Sequence, residues 1–316
     1  MSAQVTMAVI GAGHLGGYHC QKMKTLESVN FVGICDPDPE KLQQRCAEYP
    51  GVEGVADYRQ LLGKVQGVLI ASPTFTHHEI AKFFLQNNVH VFVEKPLTET
   101  VEQAQELCDL AKKHSCVLQV GHVERFYPAL LAAQEKLKQP LFIEGHRIAP
   151  FKPRSMDVDV ILDLMIHDID VVLNLMKSEV VSISAVGTPV LTSMVDIASA
   201  RIEFASNAVA NLTASRVSQK SERKFRVFQK DQYLSIDFGT AELNLTSKTG
   251  PLVDFEKELP LSFDSWSLDT GDALMAEDKA FVHSILNGQP ARVPGEQGLQ
   301  ALEVAEQIRA DIARRL

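Results

Sequence analysis

Ionisable residues interrupt a mostly apolar run. In VILDLMIHDIDVV (residues 160–172), Asp163, His167 and Asp170 fall at i, i+4 and i+7, and Asp159 lies four residues before Asp163. Helical spacing puts all four side chains along one stripe. Desolvating each as a charge is costly, or shifts its pKa, so the row needs a reason. An imidazole titrates near neutral pH, which makes His167 a candidate general base with Asp163 as its neighbour. A buried helix with an internally satisfied His–Asp pair fits the same row, and the helix alone does not separate the two.

A second candidate is VEKPLT, where Glu94, Lys95 and Pro96 close an apolar run. A lysine at the end of such a strand, followed by a turn that proline fixes, is out of character for a plain solvated charge. A third is GAGHLG, spanning Gly11, Gly13, His14, Leu15 and Gly16. Gly11 permits a tight turn, Gly13 lets backbone approach a pyrophosphate, and Gly16 lets a helix pack closely on a strand. Asp36 follows Gly16 by 20 residues at the end of the next strand. Its carboxylate can accept both ribose hydroxyls and repels a 2′-phosphate, which favours NAD over NADP. Lys41 and Arg45 are cations that could soften that choice. In SPTFTHHE, Ser72, Pro73 and Thr74 would shape a loop on the adenosine side, and His77 could donate to the cofactor. A plain strand-to-helix loop with Thr76 as N-cap is the alternative.

These motifs need elements to hold them. Through about residue 122 the chain alternates β-rich runs (VTMAVI, NFVGICD, GVLIAS, VHVFVE, CVLQVG) with amphipathic helical stretches. That order implies a doubly wound, mostly parallel Rossmann sheet with right-handed crossovers. The stretch TETVEQAQELCDLAKKHS reads as a helix with a Thr N-cap and an acidic first turn. After a helix near PALLAAQEKLKQ, the strand LFIEGHRIAP and the polar-striped helix, residues 181–258 become alternating strands separated by Asn, Gly and Ser turns. They predict a large, mostly antiparallel sheet with one covered face. Two helices close the chain, the first ending at Gly288. The expected division is a dinucleotide-binding domain over 1–122 and an α+β substrate and oligomerisation domain over 123–316.

Composition narrows the function classes. The 316 residues are 45% hydrophobic and 22% charged, as in an ordinary globular protein, and no apolar run approaches a membrane span. A net charge of −9 argues against non-specific nucleic-acid binding but allows a small anion held by local cations. Cys20, Cys35, Cys46, Cys108 and Cys116 are odd in number and lack metal-ligand spacing, so no metal is expected. With no secretory signal visible in MSAQVTMAVIGAG, a cytoplasmic protein is expected.

Taken together, GAGHLGGYH, SPTFTHHE, EKP, GHVERFYP and the Asp163/His167 helix ahead of a large sheet resemble the Gfo/Idh/MocA family of sugar oxidoreductases over essentially the whole chain. The resemblance implies that Lys95, Asp163 and His167 frame the substrate carbon facing the nicotinamide. His167 would then be the base, Lys95 would stabilise the developing alkoxide or relay the proton, and Asp163 would orient the ring or bind a sugar hydroxyl. It implies cofactor contacts from Glu94, Lys95 and His122. Arg125 matches the family's arginine beside cofactor or substrate, although GHVERFYP departs from many relatives at Val123 and Glu124; His122 and Arg125 could instead be structural. Asp159 and Asp170 match no family role, and structural hydrogen bonding is expected of both. Within the family, GHVERFYP, EGHRIAPFKPR and the striped helix look most like the branch that oxidises the 3-hydroxyl of UDP-N-acetylglucosamine. Arg147, Lys152 and Arg154 would then be cations for the diphosphate, solvated surface charge being the alternative. A functional link to an aminotransferase of lipid A synthesis and a homodimer or homotetramer follow from the same likeness. An inositol- or glucose-type dehydrogenase, an NAD-retaining glycoside hydrolase and a non-catalytic NAD-binding regulator are the competing readings.

Overall fold

The computed structural model describes residues 3–152, 158–252 and 259–316. The chain forms two compact units, Met1–Val123 with Asp272–Leu302, and Glu124–Gly271 with Glu303–Leu316. A single cut near residue 122 therefore leaves out a return: about thirty residues close to the C-terminus rejoin the first unit.

The first unit begins with β1 (Val5–Ile10), α1 (His14–Thr25), β2 (Val29–Cys35), α2 (Pro39–Glu48), β3 (Glu53–Val55) and β4 (Gly67–Ile70). It continues with α3 (Thr74–Gln86), β5 (His90–Glu94), α4 (Val101–Lys113) and β6 (Leu118–Gly121). The strands lie in the order β3-β2-β1-β4-β5-β6 and every pair is parallel. Order reverses between β1 and β4, and ligands of open α/β sheets bind beyond the carboxyl ends of strands at such a point. Gly11, Asp36, Lys95 and His122 each follow directly on the end of a different strand, and Ser72 lies one residue further on after β4, so one edge of one sheet collects them. The local signals explain the helices. Thr100 and Gln103 form a reciprocal capping box on α4, and Asp38 caps α2 ahead of Pro39. By contrast, α3 starts at Thr74 rather than behind a Thr76 cap, and the Thr76 hydroxyl instead donates to the Pro73 carbonyl.

In the second unit, α5 (Pro128–Lys136) and β7 (Pro140–Ile148) precede a short π-helical turn, Ile161–Met165, which runs into α6 (Ile166–Met176). Then come β8 (Val180–Thr188), β9 (Ile197–Phe204), β10 (Val209–Ser215), β11 (Glu222–Gln229), β12 (Gln232–Asp237), β13 (Glu242–Lys248) and β14 (Leu261–Ser267). Their order is β14-β13-β12-β11-β7-β10-β9-β8. All pairs are antiparallel except β7 with β10. The period-2 pattern does its expected work: Ala198, Ala200, Ile202 and Phe204 of β9 are buried, while Ser199 and Arg201 are exposed. The π-turn and α6 pack against β7 and β10 on that covered face.

Two helices follow, α7 (Ala273–Asn287) and α8 (Gly295–Ala313). Asp272 caps α7 and Gly288 ends it at φ 60°, the left-handed conformation that glycine adopts at little cost. Phe281 and Val282 of α7 join the core of the first unit with Met7, Val9, Leu69 and Phe92, which is why this segment belongs there. Among the described residues, no helix is long and apolar enough to cross a membrane.

Candidate active site

The glycine-rich turn has the shape that a dinucleotide needs. Gly11 sits at φ +102°, and a Cβ there would lie 2.6 Å from the Ala71 carbonyl oxygen. A Cβ on Gly16 would lie 1.8 Å from the Gly11 carbonyl oxygen, so only glycine lets α1 start so close to β1. Gly13 is different: nothing lies within 4 Å of its would-be Cβ, which leaves backbone open to a pyrophosphate. No side chain caps the N-terminus of α1, so its first N–H groups remain for an anion beside exposed His14 and Leu15.

Asp36 is held rather than loose. Its Oδ2 accepts from the Ala12 N–H at 2.7 Å and its Oδ1 from the Asp38 N–H at 2.9 Å. Each oxygen keeps a second lone pair, which suits a ribose diol. Lys41 pairs with Asp38 at 3.3 Å and Arg45 with Glu48 at 2.8 Å, while Arg45 also leans on the carbonyls of Ala12 and Gly13. Both cations already have carboxylate partners. The turn and its acid fit NAD.

Ser72, Pro73 and Thr74 make the loop after β4, with the Ser72 hydroxyl 2.6 Å from that of Thr76. His77, expected to reach the cofactor, does not have a nitrogen to offer. It is buried, with Nδ1 2.9 Å from the Pro96 carbonyl and Nε2 2.9 Å from the Ser72 carbonyl, and burial lowers its pKa. Its role is to tie the Ser72 loop to the turn after Lys95. Glu94 is likewise turned inward. His19, fully buried, holds Glu94 Oε1 through Nε2 at 2.9 Å and Asp278 through Nδ1 at 2.9 Å. The two carboxylates overcome desolvation and push the His19 pKa up to about 10. Glu94 Oε2 accepts from the Lys95 N–H at 3.2 Å, so this cluster fixes the backbone from which Lys95 projects. Lys95 itself is half-buried, and His122 is buried.

In the second unit the polar stripe separates. Asp159 caps the π-turn, its Oδ1 accepting from the N–H groups of Ile161 and Leu162, and its Oδ2 accepts from Arg309 Nε at 2.7 Å. Asp170 is buried and receives Arg125 Nη1 at 3.1 Å. Both are structural, and Arg125, 8% exposed, works at least in part as the partner of Asp170. Asp163 and His167 alone of the four are half-buried, on one open face. The π-turn carries Asp163 just ahead of His167, and such turns recur where a helix must re-aim a side chain.

Three residues around His167 were not singled out from the sequence as its partners. Glu124 Oε2 lies 2.6 Å from His167 Nδ1. Arg147 Nη1 lies 3.0 Å from Glu124 Oε1, and Arg147 Nε and Nη2 fork onto Asp168 at 2.8–3.2 Å. His167 and Arg147 hold the Glu124 carboxyl well below the usual range despite its burial, and Asp168 and Glu124 push the Arg147 pKa up against its desolvation. Arg147 is only 4% exposed. Expected as a diphosphate ligand, it has its guanidinium enclosed by two carboxylates and acts inside the protein instead. Lys152 is exposed, and Arg154 lies outside the described residues. The available signal was the pair of charges in GHVERFYP and EGHR, which alternation alone assigns to opposite or exposed faces. Among the described residues no group of acidic, His and Cys side chains could hold a metal.

The family models agree with this architecture. Residues 5–122 match the oxidoreductase family with an NAD-binding Rossmann fold, and residues 145–234 match the GFO/IDH/MocA C-terminal domain. The chain is 36% identical over 313 residues to a UDP-N-acetylglucosamine 3-dehydrogenase of Acidithiobacillus ferrooxidans, covering 96% of both proteins. A solved structure of a UDP-N-acetylglucosamine 3-dehydrogenase from that organism superposes with a TM-score of 0.90 at 34% identity, over 98% of each chain. Scyllo-inositol dehydrogenase of Lactobacillus casei, solved with NAD(H) and scyllo-inositol, shares the fold at a TM-score of 0.81 and 20% identity, covering 99% of this chain and 98% of that one. With a glycine turn that fits a dinucleotide, an acid set for its ribose and both domains matched, the chain belongs to the Gfo/Idh/MocA family of NAD-binding oxidoreductases.

Proposed function

We propose that the protein oxidises the 3-hydroxyl of UDP-N-acetylglucosamine to the 3-keto sugar. The observation that carries this reading is the likeness to a UDP-N-acetylglucosamine 3-dehydrogenase along 96% of both chains. NAD, when bound, supplies the hydride acceptor. The chain's own groups handle the rest. Gly11, Gly13 and Gly16 shape the backbone for the pyrophosphate, and Asp36 takes the ribose hydroxyls. Lys95, projecting from a backbone braced by Glu94 and His19, donates a hydrogen bond to the reacting oxygen and stabilises negative charge there. His167 takes the hydroxyl proton at Nε2. Asp163 binds a neighbouring sugar hydroxyl. The product is a ketone next to an amide-bearing carbon, which suits an aminotransferase as the next enzyme, in a cytoplasmic route to the amino sugars of lipid A.

NADH absorbance with a panel of substrates tests the reading. UDP-N-acetylglucosamine should give turnover and free inositol or glucose none. Turnover of the free polyols without a response to the nucleotide sugar would remove the substrate assignment. Release of a free sugar without net NADH would favour a hydrolase. Lys95→Ala should lose turnover by orders of magnitude while still binding NAD.

A further inference from the structure

We infer that Glu124 is the positioning residue of His167, a carboxylate clamped by Arg147 that holds the ring at Nδ1 and dedicates Nε2 to proton transfer. The inference rests on the reading of His167 as the base and adds the group that aims it. Glu124 comes from the 3₁₀ turn Val123–Phe126, not from the helix that carries His167, so it can fix the ring relative to a second element. Its two oxygens have separate partners: Oε1 faces Arg147 Nη1 at 3.0 Å and Oε2 faces His167 Nδ1 at 2.6 Å. Arg147 in turn forks onto Asp168, the residue after His167. The guanidinium therefore ties the carboxylate to the same helical turn that presents the ring.

The charges of this cluster point the same way. Glu124 and Asp168 carry two negative charges and Arg147 one positive, so the set balances when His167 holds a proton. A base in mid-reaction needs that compensation. Exposure separates the roles as well. Glu124, Arg147 and Asp168 are 3–4% exposed, whereas the His167 side chain keeps 12%. Of the four, His167 is the group with an edge open to a reactant. Orienting the ring, one of two roles expected of Asp163, thus falls to Glu124.

Glu124→Gln keeps the shape and removes the charge. Its kcat with UDP-N-acetylglucosamine should fall by about 10²- to 10³-fold, the scale of a general base that has lost its orientation. KM and the NAD dissociation constant should stay within about threefold, because a positioning residue acts through its partner rather than on ligands. Glu124→Asp should recover about tenfold of that loss. On a His167→Ala background, Glu124→Gln should cost nothing further, since a residue acting through His167 has nothing left to position. A parental kcat in Glu124→Gln, or the same loss repeated on the His167→Ala background, overturns the inference. Those results leave His167 standing as base provided His167→Ala is itself slow; a parental rate in His167→Ala overturns both. If Glu124→Gln does not fold, Glu124→Asp decides alone: a drop in kcat at constant KM supports the role, and a parental kcat refutes it.

Discussion

Both units set a histidine among carboxylates, but they enclose it differently. In the dinucleotide-binding unit, His19 is fully buried, with Asp278 on one ring nitrogen and Glu94 on the other. In the sheet-based unit, His167 has Glu124 at Nδ1 and a partly open ring edge. The same side-chain chemistry gives two outcomes. With both nitrogens occupied, His19 cannot exchange a proton with a substrate, and its charge is locked in by two acids. It braces the strand end that carries Lys95. With one nitrogen held and the other edge open, His167 can exchange protons. The difference lies in access.

Substitutions can break or sharpen this contrast. The largest effect is expected from His167→Ala: kcat should fall by about 10²- to 10⁴-fold with little change in thermal stability or NAD affinity. Near-parental turnover would end the assignment of the open histidine as base. His19→Ala should behave in the opposite way and be read in stability. It leaves two carboxylates buried without their cation, a loss of about 3–5 kcal/mol by urea titration. A variant as stable as the parent would show that the closed cluster contributes no structural role.

A smaller effect is the pH dependence of that stability. The folded-state pKa of His19 is raised to about 10 from an ordinary 6.5. Its stabilisation is therefore complete below about pH 6.5 and lost as pH rises towards 10. The urea midpoint should decline across that window more steeply in the parent than in His19→Asn. Equal slopes would mean that the ring is not charged in the folded protein. Cys20, Cys35 and Cys108, which burial pushes up to about 12, titrate alike in both proteins and drop out of the difference. The smallest effect belongs to Asp159→Ala, which loses the cap of the π-turn, at about 1–2 kcal/mol, with turnover within about threefold of parental. A large loss of turnover at parental stability would return Asp159 to the reactive face.

The parts of the site readable in the sequence are those fixed by local geometry. Gly11 and Gly16 are required by a turn whose clashes lie within a few residues or at one neighbouring strand. Asp36, Ser72 and Lys95 follow strand ends that β-α alternation predicts, and Gly288 and a Thr ahead of α4 are cap residues of their own helices, the structure choosing Thr100. Misassignments came where a polar side chain has more than one possible partner. His77 has the composition of a cofactor ligand and instead meets two carbonyls; Arg147 has that of a phosphate ligand and instead meets two acids. The short edge strand β3 and the polar β14 carry too little pattern to be seen, because an exposed edge does not need alternation.

By itself, then, the chain's order of residues determined the parallel β-α sheet and the dinucleotide turn with its preference for NAD, while the stripe's division into closed and open halves came only with the burial of Asp159 and Asp170. The sheet and the turn depend on periodicities of 2 and 3.6 residues and on backbone angles that few residue types adopt. Tertiary structure alone decided the parallel placement of β7 beside β10 and the return of α7 to the first unit. It also decided the pairing of Glu124, Arg147 and Asp168 around His167. Those contacts join residues far apart in sequence, and a charge is satisfied by whichever partner the packing of distant elements brings within about 3 Å.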